Sequence, residues 1–402
     1  MRAVLAKISL VGLLIWGFGL YAQTPSADQG QNTSTAGAAQ AGVQASQEFQ
    51  SVQSLLPESL KGLKVGGLFY ISYQNGKEYT GTPDKTTPYS HFVLKRGYLD
   101  VQKTITPYLM GRYTTDITRD EFGDWKTRIK YIYGKFSWKG TSFITDLGME
   151  FGQVHNPWLD FEESINGFRM QGTMFLERSG IFNSADMGVM VGSDLGGKMD
   201  ASYRKKVNSH YAGRYGTWQA GIYDGSGYHA AEKNLNKVIG GRLTIRPLPD
   251  VLPGLQVSAL GMTGKGNVAA TAERPIPDWT VFDGMLSYQM PQFTGTAQYY
   301  RGRGNQSGSA IYDGKAREQR GYSFFGAVHF WEANRISVVG RYDYFDNNTD
   351  ISSNDVQKRV IAGVAYEMYK GNTWLVDYQR VSHTADYIPA EDQFQVTLQV
   401  AF

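Results

Sequence analysis

The alternating pattern of this sequence predicts an all-β fold, a single transmembrane antiparallel β-barrel of about 16 strands. Most of the chain after residue 61 consists of segments of about ten residues in which apolar and polar side chains alternate. That is the length and period of strands that cross a membrane at a tilt. Short and long links alternate between the segments. Beyond the N-terminal region no window has about 18 consecutive apolar residues, so a transmembrane helix is not expected there.

The composition of the 402 residues argues against several classes of protein. The chain has no cysteine, which excludes a disulfide scaffold and a thiolate metal site. A net charge of +3, with acids and bases interleaved, gives no polyanion-binding surface, so nucleic acid is not an expected partner. The six histidines are scattered without ligand spacing, and no cofactor is expected. The stretch 346–357 begins like a calcium loop, but Ile351 and Gln357 break the EF-hand pattern, which leaves calcium binding there unsupported.

The N-terminus has the pattern of a secretory signal peptide. Arg2 and Lys7 precede an apolar stretch at 8–20, and the small residue Ala22 is the expected cleavage point. An uncleaved anchor is the alternative, but this apolar stretch is short for a bilayer span. The segment that follows is rich in Gln, Ala, Ser and Thr and has almost nothing to bury. We therefore predict a signal peptide at 1–22, a flexible periplasmic segment at 23–61 and the barrel domain at 62–402.

The strands can be assigned in order from their period of two. In the first strand, Val65 and Ile71 lie on one face while Tyr70 and Ser72 lie on the other. The predicted strands are 63–74, 91–104, 108–118, 128–138, 142–153, 187–193, 217–224, 238–246, 255–263, 280–289, 293–301, 321–331, 335–345, 359–369, 373–383 and 393–402. Short turns such as 370–372 alternate with long polar loops such as 302–320, which predicts periplasmic turns and outer loops.

One connection does not fit this alternation. The stretch 194–216 stands where a short turn is expected, yet it is long and basic, with Arg204, Lys205, Lys206 and Arg214. Either the flanking strands are longer than assigned, or this is an unusual periplasmic excursion. The strand count around 187–224 stays open for this reason.

The last strand closes the barrel. Phe394, Leu398 and Phe402 share its apolar face, and pairing with the first strand would leave the sheet no edge. Phe402 resembles the aromatic end by which barrel-assembly machinery recognises its clients, which makes that machinery an expected partner.

The inward faces of the predicted strands are polar and charged. That many unpaired charges would be costly in a dry core, so the lumen is expected to hold water. The inward arginines expected to line it are Arg96, Arg112, Arg242, Arg246 and Arg341.

The third long connection, 154–186, is far longer than a hairpin needs. It mixes aromatic and charged side chains, which favours a loop that folds into a wide barrel and sets the pore size. An exposed surface loop is the alternative. The constriction residues predicted here are Trp158, Glu162, Glu163, Arg169 and Arg178.

Short motifs on the second strand and around the third connection carry a resemblance to a known family. They are Lys95-Arg96-Gly97-Tyr98-Leu99 on the second strand, then Gly152-Gln153-Val154-His155-Asn156-Pro157, Phe161-Glu162-Glu163, and Leu176-Glu177-Arg178 before Asp186-Met187-Gly188-Val189. With them the chain resembles the phosphate-selective porins O and P. The resemblance implies a sixteen-stranded, homotrimeric diffusion channel in the outer membrane of a Gram-negative cell. It implies an arginine ladder, for which the five inward arginines qualify, but the third loop lacks the family's lysine cluster.

These observations predict a non-enzymatic, water-filled channel for passive diffusion of small hydrophilic solutes, with a preference for anions such as phosphate. Membrane lipid and those solutes are the expected partners. A barrel enzyme of the lipase or protease kind is one alternative, with the neighbours Ser382 and His383 as its only adjacent pair at the outer rim. A plugged structural or adhesin barrel is the other.

Overall fold

A closed antiparallel barrel of sixteen strands makes up the fold. The computed structural model describes residues 57, 60–120, 122–271, 275–330, 335–351 and 355–402. The predicted signal peptide and nearly all of the predicted periplasmic segment lie outside these ranges. The barrel strands are β1 (Leu63–Tyr79), β2 (Thr86–Thr106), β3 (Leu109–Arg119), β4 (Trp125–Gly140), β5 (Ile144–His155), β6 (Ala185–Leu195), β7 (Gly216–Tyr223), β8 (Val238–Ile245), β9 (Leu255–Lys265), β10 (Asp278–Met290), β11 (Phe293–Arg303), β12 (Glu318–Phe330), β13 (Ile336–Asp346), β14 (Val356–Tyr369), β15 (Asn372–His383) and β16 (Glu391–Ala401).

Each strand pairs with its neighbours in the sequence, and β1 pairs with β16 to close the ring. The register at this seam runs from Leu68 opposite Ala401 to Lys77 opposite Asp392. Gly67 and Phe402 extend it with two reciprocal backbone hydrogen bonds of 3.1 Å. Closure leaves the sheet no edge. The predicted fold class, the count of sixteen strands and the closing role of the last strand are confirmed.

The two faces of the wall differ as the alternation predicts. Phe282 is 57% exposed on the outside, whereas its neighbour Asp283 is fully buried on the inside. The same contrast recurs around the ring, with an apolar outer surface and a polar inner one. Large apolar side chains exposed on the outer face include Tyr113, Ile132, Phe151, Ile222, Leu243, Ile245, Val257, Leu286, Tyr299, Phe324, Val338, Val360, Val364 and Val376.

The barrel has a turn end and a loop end, which we name by their connections. The turn end carries mostly short links, such as 291–292 between β10 and β11 and 370–371 between β14 and β15. In the second of these, Gly371 has a φ of 82°, a left-handed conformation that favours glycine. The loop end carries the longer links, among them 156–184, hereafter the third loop. Strands β1 and β2 are longer than predicted because they continue toward this end.

The helices that the structure describes are short. Within the third loop lie α1 (Leu159–Ile165), a 3₁₀ turn (Arg169–Gln171) and α2 (Phe175–Arg178), and in the connection between β6 and β7 lies α3 (Ala201–Lys206). Over the described ranges, no helix has both the length and the apolar character needed to cross a membrane.

Candidate pore constriction

The third loop is anchored by apolar side chains that have no contact with solvent. Trp158, Phe161, Phe175 and Leu176 are each 1% exposed or less. The ring of Phe175 packs edge-on against Phe345 of β13, with the ring centroids 6.3 Å apart. Because Phe345 faces the interior of the barrel, these anchors hold the loop inside it rather than above it.

Polar contacts tie the same loop to separate parts of the wall. Lys95 of β2 donates from Nζ to the carbonyl oxygen of Met170 at 2.5 Å. Arg341 of β13 donates to the carbonyl oxygen of Thr173 at 2.7 Å. At the far end of the loop, Arg178 donates to Oε1 of Gln379 on β15 at 3.0 Å. Contacts on β2, β13 and β15 require that the loop crosses the interior.

Arg169 is the ionic centre of the loop. Its Nε donates to Glu163 at 2.6 Å and its Nη2 donates to Glu177 at 2.8 and 2.9 Å, while Nη1 donates to the hydroxyl of Tyr98 on β2 at 2.9 Å. A guanidinium with all three nitrogens engaged fixes both the loop and its distance from β2.

An open volume of about 290 Å³ remains between the loop and the wall formed by β1 to β4. From the loop it is lined by Asp160, Glu163 and Arg169. The facing wall contributes tyrosines and charged groups, namely Tyr70, Tyr98, Asp100, Arg112, Lys130 and Tyr131. This charged gap is the candidate constriction.

Two bulges turn lysines of this wall toward the interior of the barrel, which the alternating pattern does not reveal. In β2 the pairing with β1 skips Lys95, so Lys95 and Arg96 both face inward. In β4 the pairing with β3 skips Lys130, so Lys130 and Tyr131 both face inward. A bulge reverses the parity of a strand locally. Strict alternation along the two strands would place both lysines on the lipid face, and nothing in the sequence marks either bulge.

Lys130 differs from Arg96 and Arg112 of the same wall, which are paired with carboxylates. It is 5% exposed, and its Nζ lies 4.6 Å from the ring centre of Tyr98 and 5.2 Å from that of Tyr131. Among the residues that the structure describes, it has no carboxylate within salt-bridge distance. Its ammonium group lines the open volume, and its charge also helps to lower the pKa of Glu177 in the third loop.

Arg96 and Arg112, two predicted pore-lining residues, lie on this wall with about a fifth of each side chain exposed. Arg96 is paired with Asp116 at 2.8 Å. Arg112 is paired with Asp100 at 2.7 Å, and its Nη1 lies 3.1 Å from Nε2 of His155. Both guanidinium groups are held by wall residues and remain accessible from the lumen.

The other three predicted arginines face inward but are covered, which corrects the expectation that they line open water. Arg242, Arg246 and Arg341 are 2%, 2% and 4% exposed. Arg242 donates to the carbonyl oxygen of Pro157 at 2.9 Å, and its guanidinium lies 4.1 Å from the ring centre of Phe161. These arginines bind the segments folded into the barrel, because those segments offer carbonyl oxygens and aromatic faces.

Two predicted constriction residues of the loop, Trp158 and Glu162, are likewise buried away from the gap. Trp158 donates from Nε1 to Oε2 of Glu162 at 2.9 Å. Burial raises the pKa of Glu162 to about 7, although the charge of Arg341 and this hydrogen bond oppose the shift. The two side chains pack the loop rather than meet solute.

Arg178, another predicted constriction residue, lies close to Arg341 of β13 and Arg359 of β14. Burial and the neighbouring charges of Arg359 and Arg341 lower the pKa of Arg178 well below its usual value. Its guanidinium lies against Gly172, where a Cβ atom would overlap it. Glycine at that position makes room for the arginine.

The adjacent pair at the outer rim, Ser382 and His383, does not form a catalytic dyad. Neighbouring residues of a strand point to opposite faces, and His383 instead contacts Asp355 at 2.7 Å. Within the described ranges, no three His, Asp or Glu side chains are grouped closely enough to hold a metal ion.

No protein-family model and no curated protein sequence matches the chain. Solved structures do match it in shape. The outer membrane channel DcaP of Acinetobacter baumannii is 11% identical with a TM-score of 0.55, over 85% of this chain and 97% of that chain. An anion-selective porin from Comamonas acidovorans is 11% identical with a TM-score of 0.54, over 85% and 99%. A trimer form of OmpT from Vibrio cholerae is also 11% identical with a TM-score of 0.54, over 85% of this chain and 99% of that chain.

The chain has the porin fold. At 11% identity these likenesses show the fold alone. Together with the closed ring and the apolar outer surface, the fold confirms the predicted outer-membrane localisation, because a closed barrel leaves no unpaired backbone in lipid.

Proposed function

We propose that this protein is a porin, a passive channel for small hydrophilic solutes. The observation that carries the proposal is the charged gap of about 290 Å³ between the third loop and β1 to β4, inside a barrel whose outside is apolar. Charged and hydroxyl groups along such a gap can replace part of the hydration of a passing solute.

Planar-bilayer recording of the purified protein tests the proposal. Stepwise insertion events with an ohmic current would support it. A correctly folded barrel that gives no current in any salt would refute it and would favour a plugged structural barrel.

We further propose a preference for anions. The support is Lys130, whose charge faces the gap without a carboxylate, together with the accessible Arg96 and Arg112. The loop side of the gap carries Asp160 and Glu163, so the preference should be mild. Because short sequence motifs resemble those of the phosphate-selective porins O and P, phosphate is the competitor to try first.

The reversal potential in a KCl gradient measures this preference. Lys130→Gln should move the potential toward cation preference, because it removes a positive charge that lines the gap with no carboxylate at salt-bridge distance among the described residues. Lys358→Gln is the matched control, since Lys358 stands exposed between the inward-facing Gln357 and Arg359. Equal potentials for the parent and Lys130→Gln would rule out this role for Lys130.

We also propose that the protein assembles as a homotrimer, in keeping with the trimer form of the OmpT structure. Light scattering of the detergent-purified protein, corrected for bound detergent, should give three copies per particle. A particle of one copy would contradict this proposal without affecting the channel.

A further inference from the structure

The connection between β6 and β7, residues 196–215, is the exception at the turn end. It has 20 residues, whereas 291–292 has two and the next longest described turn, 246–254, has nine. We call it the excursion. On the side of this connection, β6 ends at Leu195 rather than 193 and β7 begins at Gly216 rather than 217, so the extra residues belong to a folded element of the connection itself.

The excursion has a defined structure. Lys198 pairs with Gly213 in an isolated bridge, and Met199 donates to the carbonyl oxygen of Ala212 at 2.8 Å. Asp200 caps α3 by accepting from the backbone amide of Tyr203 at 2.8 Å. Its two arms are thus tied to each other, as in a hairpin.

Arg246, which directly follows β8, binds the excursion close to the barrel wall. It donates to the hydroxyl of Tyr203 at 3.1 Å and to the carbonyl oxygen of Gly213 at 3.4 Å. Its guanidinium also lies 4.9 Å from the ring centre of Tyr203. This arrangement explains why an inward arginine at the turn end is buried.

The excursion reaches the third loop, which enters the barrel from the opposite end. The hydroxyl of Tyr211 donates to Oδ2 of Asp160 at 2.6 Å. Nδ2 of Asn208 donates to the carbonyl oxygen of Ser164 at 2.7 Å. The rings of Tyr211 and Phe161 meet edge to face, 5.5 Å between centroids. Three contacts of different kinds therefore join the two elements.

Arg242 binds both partners of this junction. Its guanidinium lies 4.1 Å from the ring centre of Phe161 and 5.0 Å from that of Tyr211. Burial would raise the pKa of Asp160, but the charge of His155 and the hydrogen bond from Tyr211 outweigh it and lower the pKa to about 2. Asp160 consequently stays ionised and accepts from Tyr211 at every ordinary pH.

From this geometry we infer that the excursion is a second pore-narrowing element. It fills the part of the lumen beside β7 to β10 from the turn end, as the third loop does from the loop end. The junction residues Tyr211, Asn208 and Arg242 position the loop carboxylate Asp160, which lines the remaining gap. This inference rests on the proposed channel function.

The decisive variant replaces 196–215 with Asn-Gly, since Leu195 and Gly216 are paired and a two-residue turn can join them. Its single-channel conductance should rise about twofold or more. The deletion removes a narrow section of the pore that lies in series with the constriction at the third loop. Liposome-swelling assays should show that larger sugars enter. Lys205→Gln is the control, because Lys205 is exposed on α3 and should leave the size limit unchanged.

A second experiment does not depend on the deletion variant folding. The chain has no cysteine, so Ser164→Cys combined with Asn208→Cys gives a single pair for a short thiol-specific cross-linker. We expect efficient cross-linking in outer membranes, because the two positions are in direct contact.

The outcomes separate the two proposals. A parent protein that does not conduct refutes the channel. A conducting parent whose deletion variant keeps the same conductance and sugar limit refutes the inference, as does a parent-like channel in which the cysteine pair does not cross-link. Tyr211→Phe should raise open-channel noise by freeing Asp160 while leaving the size limit near that of the parent.

Discussion

The two sides of the lumen use the same kind of residue for different tasks. Beside β1 to β4, Arg112 pairs with a wall carboxylate and keeps a fifth of its side chain accessible. Beside β7 to β10, Arg242 is covered by Pro157, Phe161 and Tyr211 and touches no carboxylate within salt-bridge distance among the described residues. We call these the open side and the filled side. An inward arginine can thus serve the permeating ion or the architecture, depending on what lies against it.

Substituting methionine for one arginine on each side of the lumen should give the largest effects of the variants considered. Arg112→Met leaves Asp100 without its cation at the gap and should shift the reversal potential clearly toward cations. Arg242→Met removes the contacts of the filled side and should instead destabilise the junction, on the order of 3 kcal/mol, since hydrogen bonds of a buried charge are lost. Reversal potentials and heat-modified mobility on gels measure the two effects.

The opposite pair of results would contradict the assignment of the open side and the filled side. If Arg242→Met changed selectivity while Arg112→Met changed only stability, the path of the ions would lie on the filled side.

Glu162 and Glu177 of the third loop should change the stability of the fold with opposite dependence on pH. Glu162 has a pKa raised by burial to about 7, so the folded state holds its proton more tightly than the unfolded chain does. Its contribution to stability is present below the ordinary value of 4.5 and is lost as the pH rises to 7. Glu162→Gln should therefore be more stable than the parent at pH 8, by about 1 to 3 kcal/mol, and similar at pH 4.

Glu177 is the matched case. Although burial acts to raise its pKa, the Arg169 guanidinium lowers it, so its stabilisation is present above 4.5 and lost as the pH falls. Glu177→Gln should be less stable than the parent at pH 8. Melting curves of both variants at pH 4 and pH 8 check the signs, and parallel pH profiles would contradict this account of the loop.

The seam next to the open side offers a further test. Phe402 pairs with Gly67, and its ring occupies the space that a side chain at Gly67 would need. Deleting Phe402 should reduce the amount of folded protein in the outer membrane more than the conductance of what assembles, in line with the proposed role in barrel assembly. Normal membrane levels of the truncated chain would count against that role.

The smallest expected effect concerns the exposed face of the excursion. Arg204, Lys205 and Lys206 stand exposed on α3 at the turn end. Replacing all three with Gln should weaken any rectification of the current at low salt and have little effect at 1 M, where charges are screened within about 3 Å. If the triple variant rectifies the current as strongly as the parent, these three side chains are not the cause of the rectification.

Much of the fold follows from the sequence because one rule, alternation, is enforced by lipid outside and polar side chains inside. That rule gave the sixteen strands and the seam at Phe402. It also marked 194–216 as exceptional, because a long basic stretch stood where a short turn was due.

The constriction was less predictable, for two physical reasons. Lys95 and Lys130 face inward through bulges, and a bulge depends on how neighbouring strands pair rather than on the residue itself. Arg242 and Arg246 face inward as predicted, but their cover comes from segments distant in the chain, which periodicity does not record.

Thiol accessibility in this cysteine-free chain tests the central claim most directly, namely that solutes pass along the open side. Leu68 of β1 lines the gap and is only half-buried, whereas Ser258 on β9 is buried on the filled side. A charged methanethiosulfonate reagent should reduce the current of Leu68→Cys channels within seconds and leave Ser258→Cys channels unchanged. Block of Ser258→Cys channels with no effect on Leu68→Cys channels would show that the path runs on the other side.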